Sequence, residues 1–168
     1  VCSSDLTEKR DPAAISSNSY GYFGGGYFFP PSTGINIFYS TIDRLDFSNE
    51  TVSTPSPKLS AVKGDLAATS SSSYGYFGGG AIPIISTIDR LDFSNETVST
   101  PSPKLSARRN NSSATSGGQS ILRGNKTYGY FGGGVAAAFR STIDRLDFSN
   151  ETVTTPSPKL STRSEEHT

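Results

Sequence analysis

Three short acidic clusters hold the residues best suited to chemistry in this chain. Asp43, Arg44 and Asp46 stand in an Ile-Asp-Arg-Leu-Asp run, which recurs with Asp89, Arg90 and Asp92 and again with Asp144, Arg145 and Asp147. Neighbouring carboxylates could coordinate calcium or act as acid and base. Their repetition argues against both uses. A catalytic site needs one unique constellation, whereas a cluster found at the same place in every copy is expected to build the copy. The expected roles are an Asp–Arg pair within or between units and an Asp capping the turn that follows. No catalytic residue is assigned.

The glycine runs invite a second chemical reading. Gly24 and Gly25, Gly78 and Gly79, and Gly132 and Gly133 each open a triplet after the motif Tyr-Gly-Tyr-Phe. A phosphate loop would end in Gly-Lys-Ser/Thr and open a helix. Neither follows here, so the triplets read as turns and no cofactor is expected. The only His, His167, and the only Cys, Cys2, fall in the two end segments set aside below, which leaves no base for a Ser-His-Asp arrangement and no His/Cys metal set. The sequons Asn49-Glu50-Thr51, Asn95-Glu96-Thr97 and Asn150-Glu151-Thr152 fall in a repeated turn and read as turn residues.

Composition narrows the partners. The formal net charge is zero, with no basic or acidic block, which excludes a nucleic acid or an anionic membrane as an expected partner. No apolar run approaches the roughly 20 residues of a membrane helix. Hydrophobic content of 33% is low for a globular core, but the apolar residues recur in short strand-like runs.

The two ends read differently from the rest. The DNA AGATCGGAAGAGCACACG encodes Arg163-Ser164-Glu165-Glu166-His167-Thr168. Its reverse complement, in a shifted frame, encodes Val1-Cys2-Ser3-Ser4-Asp5-Leu6. That DNA resembles a common short-read sequencing adapter, so residues 1–6 and 163–168 are read as translated adapter and set aside from the fold. Residues 7–162 remain, with repeat units near 10–60, 61–106 and 107–162.

The elements that must position these residues follow from the repeats. Tyr-Gly-Tyr-Phe-Gly-Gly-Gly starts at Tyr20, Tyr74 and Tyr128, and Ser-Thr-Ile-Asp-Arg-Leu-Asp-Phe-Ser-Asn-Glu-Thr-Val starts at Ser40, Ser86 and Ser141. In the middle repeat the sequence predicts strands over 66–69, 74–77, 86–93 and 97–100, broken by a serine turn, the glycines, Asn95-Glu96 and the prolines. Four short strands per repeat bury their faces only by stacking on neighbouring repeats. Ile88, Leu91, Phe93 and Val98 are expected to face Tyr76 and Phe77 of the next unit.

This pattern resembles the kelch repeat, a four-stranded propeller blade of about 50 residues. Phe77-Gly78-Gly79 matches the family's glycine doublet, and Ile88-Asp89-Arg90-Leu91-Asp92 its later acidic strand. Val98, six residues after Asp92, stands where the family carries Trp, as do Val52 and Val153, and Leu91 replaces the usual Tyr. The resemblance implies an all-β fold, a partial propeller of about three four-stranded blades forming an open arc. It further implies that the remaining blades of a longer protein are partners. Similar repeats occur in phage tail and bacterial surface proteins, which implies a virion or extracellular location.

Function is sought where the copies differ. They diverge after the glycines, at 27–39, 81–85 and 135–140, and before the aromatic strand, at 61–73 and 107–127. In a four-stranded meander these segments map largely to one face, where variation on a rigid scaffold marks binding. Tyr27, Phe28, Phe29, Phe38 and Tyr39 are the candidate ligand-binding residues, suited to stacking on a sugar or a protein surface. The expectation is a non-enzymatic binding or structural module. The alternative is a propeller domain of a carbohydrate-active enzyme, because kelch propellers include galactose-oxidase-like and sialic-acid-isomerising proteins.

Overall fold

The computed structural model describes residues 9–117 and 127–161. The reading of the two ends as adapter therefore lies outside the described residues, as do Cys2 and His167. The fold is all-β: three four-stranded antiparallel sheets, each made from one repeat, and one two-stranded hairpin.

The first blade comprises β1 (Ala13–Ser16), β2 (Tyr20–Gly24), β5 (Ile42–Asp46) and β6 (Val52–Ser53), in that order across the sheet. The hairpin β3 (Tyr27–Phe28) and β4 (Ile37–Phe38) is inserted between its second and third strands. The second blade comprises β7 (Ala67–Ser70), β8 (Tyr74–Gly78), β9 (Ile88–Asp92) and β10 (Val98–Ser99). The third comprises β11 (Ser113–Gly117), β12 (Tyr128–Gly132), β13 (Ile143–Asp147) and β14 (Val153–Thr154). The innermost strands β1, β7 and β11 lie side by side, so the blades fan from a common axis and form an open arc.

Why Tyr-Gly-Tyr-Phe-Gly makes a blade follows from the strand's two-residue period. Tyr74, Tyr76 and Gly78 point to one face of the middle sheet, and Gly75 and Phe77 to the other. Phe77 lies against Gly24 of the first blade, where a Cβ would stand 2.6 Å from the ring. Phe131 of the third blade lies against Gly78 in the same way, at 2.7 Å. One repeat thus carries both a phenyl knob and the glycine hole that receives the next knob.

Each junction closes over its own core. Ile15, Tyr22, Ile42, Leu59, Phe77 and Leu91 form the first, and Tyr76, Ile88, Leu105, Phe131 and Leu146 the second. Burying one such phenyl contributes roughly 1.5–3 kcal/mol. The expected packing needs one correction. Leu91, Phe93 and Val98 face backward onto Tyr22 of the preceding blade, with Phe77 beside them. Ile88 faces forward with Tyr76. Ile88 and Leu91 are three positions apart on one strand, and an odd separation puts them on opposite faces. The strands are also shorter than expected, β9 spanning Ile88–Asp92 and β10 only Val98–Ser99.

Candidate binding face

The repeated acidic clusters resolve into three structural devices. The first Asp anchors the linker entering its own blade. Lys63 Nζ donates to Asp89 Oδ2 at 2.7 Å, with both side chains fully buried. The Ser60 amide donates to the same oxygen at 2.9 Å, and Thr100 Oγ1 to the other at 2.9 Å. Arg109 and the Ser106 amide hold Asp144 likewise, at 2.9 and 2.8 Å. Burial alone would raise the Asp89 carboxyl. The Lys63 ammonium and the Ser60 donors overcome it and hold the group below the usual carboxylate range. Burial also lowers the Arg109 guanidinium, against the pull of Asp144.

The Arg of the first two clusters latches blade to blade. Arg44 Nη1 donates to Glu96 at 2.8 Å and Arg90 Nη1 to Glu151 at 2.7 Å, both across a junction. The hydroxyls of Tyr22 and Tyr76 donate to the same carboxylates at 3.1 and 3.2 Å. Tyr22 stacks on Phe93 with ring centroids 5.4 Å apart, and Tyr76 on Phe148 at 5.2 Å. Burial, reinforced by the Glu96 carboxylate, pushes the Tyr22 phenol up to about 12. The motif's own Asp and Arg therefore do not pair as expected, because they point to opposite faces of one strand.

The second Asp caps the turn that follows, as expected. Asp46, Asp92 and Asp147 each accept from the amide and hydroxyl of the Ser two residues on, Ser48, Ser94 and Ser149. Those donors hold all three carboxyls low. Asn49, Asn95 and Asn150 act in the same turn, accepting from Thr51, Thr97 and Thr152. Glu50, Glu96 and Glu151 each take a positive φ of 55° there. A left-handed glutamate is an unusual choice for a turn, and at Glu96 and Glu151 it brings the carboxylate to the latch. Among the described residues no cluster of His, Cys, Asp or Glu is arranged to hold a metal.

The divergent segments meet on one face of the arc. Gly64 of the first linker pairs with Ala81, and Asn110 of the second with Val135. The Lys63 amide donates to the Tyr39 carbonyl at 3.0 Å, and the Arg109 amide to Ile85 at 3.0 Å. Gly25, Gly79 and Gly133 let the chain turn there, with φ of 69°, 71° and 69°. At Gly79 a Cβ would also stand 2.5 Å from the Arg109 carbonyl.

Of the divergent segments that precede the aromatic strand, only the linker portions lie on this face beside the post-glycine segments, which trims the expected boundaries. The rest of 61–73 is the inner strand β7 and the serine turn at the opposite end. In the third repeat Gly117 and Thr127, the described residues that flank the longer insertion, are joined at that same end, the Thr127 amide donating to the Gly117 carbonyl at 3.1 Å. Residues 118–126 of that insertion lie outside the described residues.

The five candidate aromatics divide. Tyr27 and Phe38 meet at 5.6 Å and fold inward over Gly64. Lys9 sits over the Tyr39 ring at 5.6 Å, and Phe28 is half-buried. Phe29 faces outward with Ile35 and Ile37. The other two segments present Ile82, 60% exposed, and Phe139, 91% exposed. Each post-glycine segment therefore offers at least one large apolar side chain to solvent.

Sequence reasoning passed over Lys63 and Arg109, which sit inside segments read as loops. The available signal is a recurring cation-x-Asp/Asn: Lys9 with Asp11, Lys63 with Asp65, and Arg109 with Asn111. The second residue of each pair takes a positive φ of 50°, 53° or 49°. It also passed over Glu96 and Glu151, hidden within sequons. No family model matches the chain, and no curated protein is found similar to it.

Proposed function

We propose that the chain is a kelch-like propeller segment acting as a non-enzymatic binding module, which recognises a protein or glycan surface through its linker face. One observation carries this reading. The three copies are nearly identical in their latches, caps and junctions. They differ where the linkers and post-glycine segments meet, and those segments expose Phe29, Ile35, Ile82 and Phe139. Exposed apolar side chains gathered on varied loops over a rigid frame are the usual make-up of a recognition surface. The kelch reading rests on the glycine doublet closing β8 and the Asp-Arg-Leu-Asp run of β9, repeated in each blade.

The test is a glycan array run beside capture of cell-envelope proteins, each with the native chain and with a Phe29→Ser, Ile82→Ser, Phe139→Ser variant. Binding lost in the variant, with the strand circular dichroism unchanged, supports the face. The ligand that loses binding tells sugar from protein. Binding that is absent in both assays, or indifferent to the triple substitution, sinks the reading.

A further inference from the structure

The zero net charge of the chain is the sum of two unlike ends of each blade. At the turn end, Asp46, Asp92 and Asp147 close the third strands β5, β9 and β13. At the linker end, each repeat places a lysine. Lys58 is bridged to Thr41, Lys104 to Thr87 and Lys159 to Thr142, each threonine standing just before the same strand. All three lysines are exposed, and none forms an ion pair among the described residues. The buried cations of this end, Lys63 and Arg109, are by contrast neutralised by Asp89 and Asp144.

These lysines hold a defined place around the apolar side chains. They continue the ladder on the side of β6, β10 and β14, the outermost strands, and so stand on the rim. The post-glycine segments, which expose Ile35, Ile82 and Phe139, leave from between the second and third strands, one step nearer the axis. The carboxylates Asp11 and Asp65 lie further in, where the linkers enter β1 and β7. The face is therefore an apolar band inside a basic rim, and each repeat contributes one lysine and one apolar segment. Isoleucine has no flat face to lay on a sugar ring, and the flat pair Tyr27 and Phe38 is folded inward over Gly64.

Resting on the reading that this face binds, we propose that its partner is a protein segment whose apolar anchors are flanked by carboxylates. An apolar centre within a charged rim is the ordinary anatomy of a protein interface, and a basic rim selects an acidic partner. A polyanionic glycan would satisfy the lysines and leave the isoleucines in water. A neutral glycan would leave the lysines unused.

Fluorescence anisotropy of the intact chain with labelled probes tests this. The probes are a peptide with Leu-Phe-Leu between runs of Glu, the same peptide with Lys for every Glu, and short alginate oligomers, which are anionic and carry no apolar group. The Glu peptide is expected to bind, and the other two at least about tenfold more weakly. Lys58→Glu, Lys104→Glu and Lys159→Glu together should weaken the Glu peptide at least about tenfold and turn the preference toward the Lys peptide. An unfolded chain would not give that reversal. Raising the salt from about 0.1 M to about 1 M shortens the screening length from roughly 10 Å to 3 Å and should weaken the native complex likewise. Ile82→Ser with Phe139→Ser should weaken the Glu peptide without turning the preference. A Glu peptide that does not bind, alginate bound as tightly as that peptide, or binding indifferent to the lysine substitutions overturns the acidic partner. The face itself is judged separately. If capture of envelope proteins is lost in the Phe29→Ser, Ile82→Ser, Phe139→Ser variant and unmoved by the lysine substitutions, the face binds and only the acidic partner is wrong.

Discussion

The internal junctions and the outer faces are made of the same residues in the same backbone positions, and differ only in whether a neighbour is present. Phe77 and Phe131 are fully buried, and Phe23, from the same motif, is 36% exposed. The difference teaches that the blade is not the stable unit here. Its sequence is a half-interface written twice, once on each side, and the energy appears only when two halves meet. Changes of the same type should therefore have unequal cost depending on which copy carries them.

The largest inequality is expected at the phenyl knobs. Phe131→Ala empties a buried site against Gly78 and should cost about 3–5 kcal/mol, much of the stability of a small domain. Phe23→Ala removes a ring already open to water, and in a dilute monomer it should cost a small fraction of that. Urea unfolding of both variants, followed by circular dichroism, makes the comparison. Equal losses would mean that the first blade's outer face is covered in solution even when dilute.

The buried anchors come next. Asp89→Ala leaves Lys63 charged and unpaired where no water reaches it, at an expected cost of about 3–5 kcal/mol. Asp43→Ala breaks the equivalent pair with Lys9, whose side chains are 24% and 13% exposed, and should cost less. The pH dependence follows from the lowered Asp89 carboxyl. Its contribution is full above the unfolded value near 4 and is lost as pH falls through the lower folded value. An acid titration of the native chain should show that loss, and Asp89→Asn should flatten it. A titration unchanged by that substitution would remove the anchor from the account.

The glycine holes give a smaller but sharper contrast. Gly78→Ala puts a methyl carbon 2.7 Å from Phe131, which has no room to withdraw, and should cost about 1–3 kcal/mol. Gly132→Ala meets only ordinary contacts, the nearest being Leu160 at 3.4 Å. With glycine's strand entropy removed, it should be neutral or slightly stabilising in the monomer. Thermal melts at low concentration separate the two, and a matching loss at both positions would contradict the knob-and-hole description.

Much of this was legible in the sequence, and the part that was not has a physical cause. The four-strand repeat, the glycine turns and the capping role of Asp46, Asp92 and Asp147 are local. Each is decided within a few residues, so spacing and residue type suffice. The roles of Asp89 and Arg90 are not local. Their partners, Lys63 and Glu151, stand 26 and 61 positions away. Adjacent residues on a strand address opposite faces, which is why an apparent Asp–Arg pair divides between two different junctions. Lys63 and Arg109 were hidden further, because a buried cation in a stretch that varies between copies has the composition of a solvated linker.

The smallest expected effect is a change of slope at alkaline pH, and it bears on the latch rather than the knob. In the fold the phenols of Tyr22 and Tyr76 are pushed up, first by burial and then by the glutamate each donates to, Tyr22 to about 12. In the unfolded chain both titrate near 10. The unfolded state therefore loses its protons first as pH rises. The stabilisation is complete below about pH 10 and is lost progressively as pH climbs toward the folded value. Tyr22→Phe and Tyr76→Phe should each make the alkaline fall in stability shallower. A fall as steep in both variants as in the native chain would remove the phenols from the latch and leave Arg44 and Arg90 as its side-chain hold on Glu96 and Glu151.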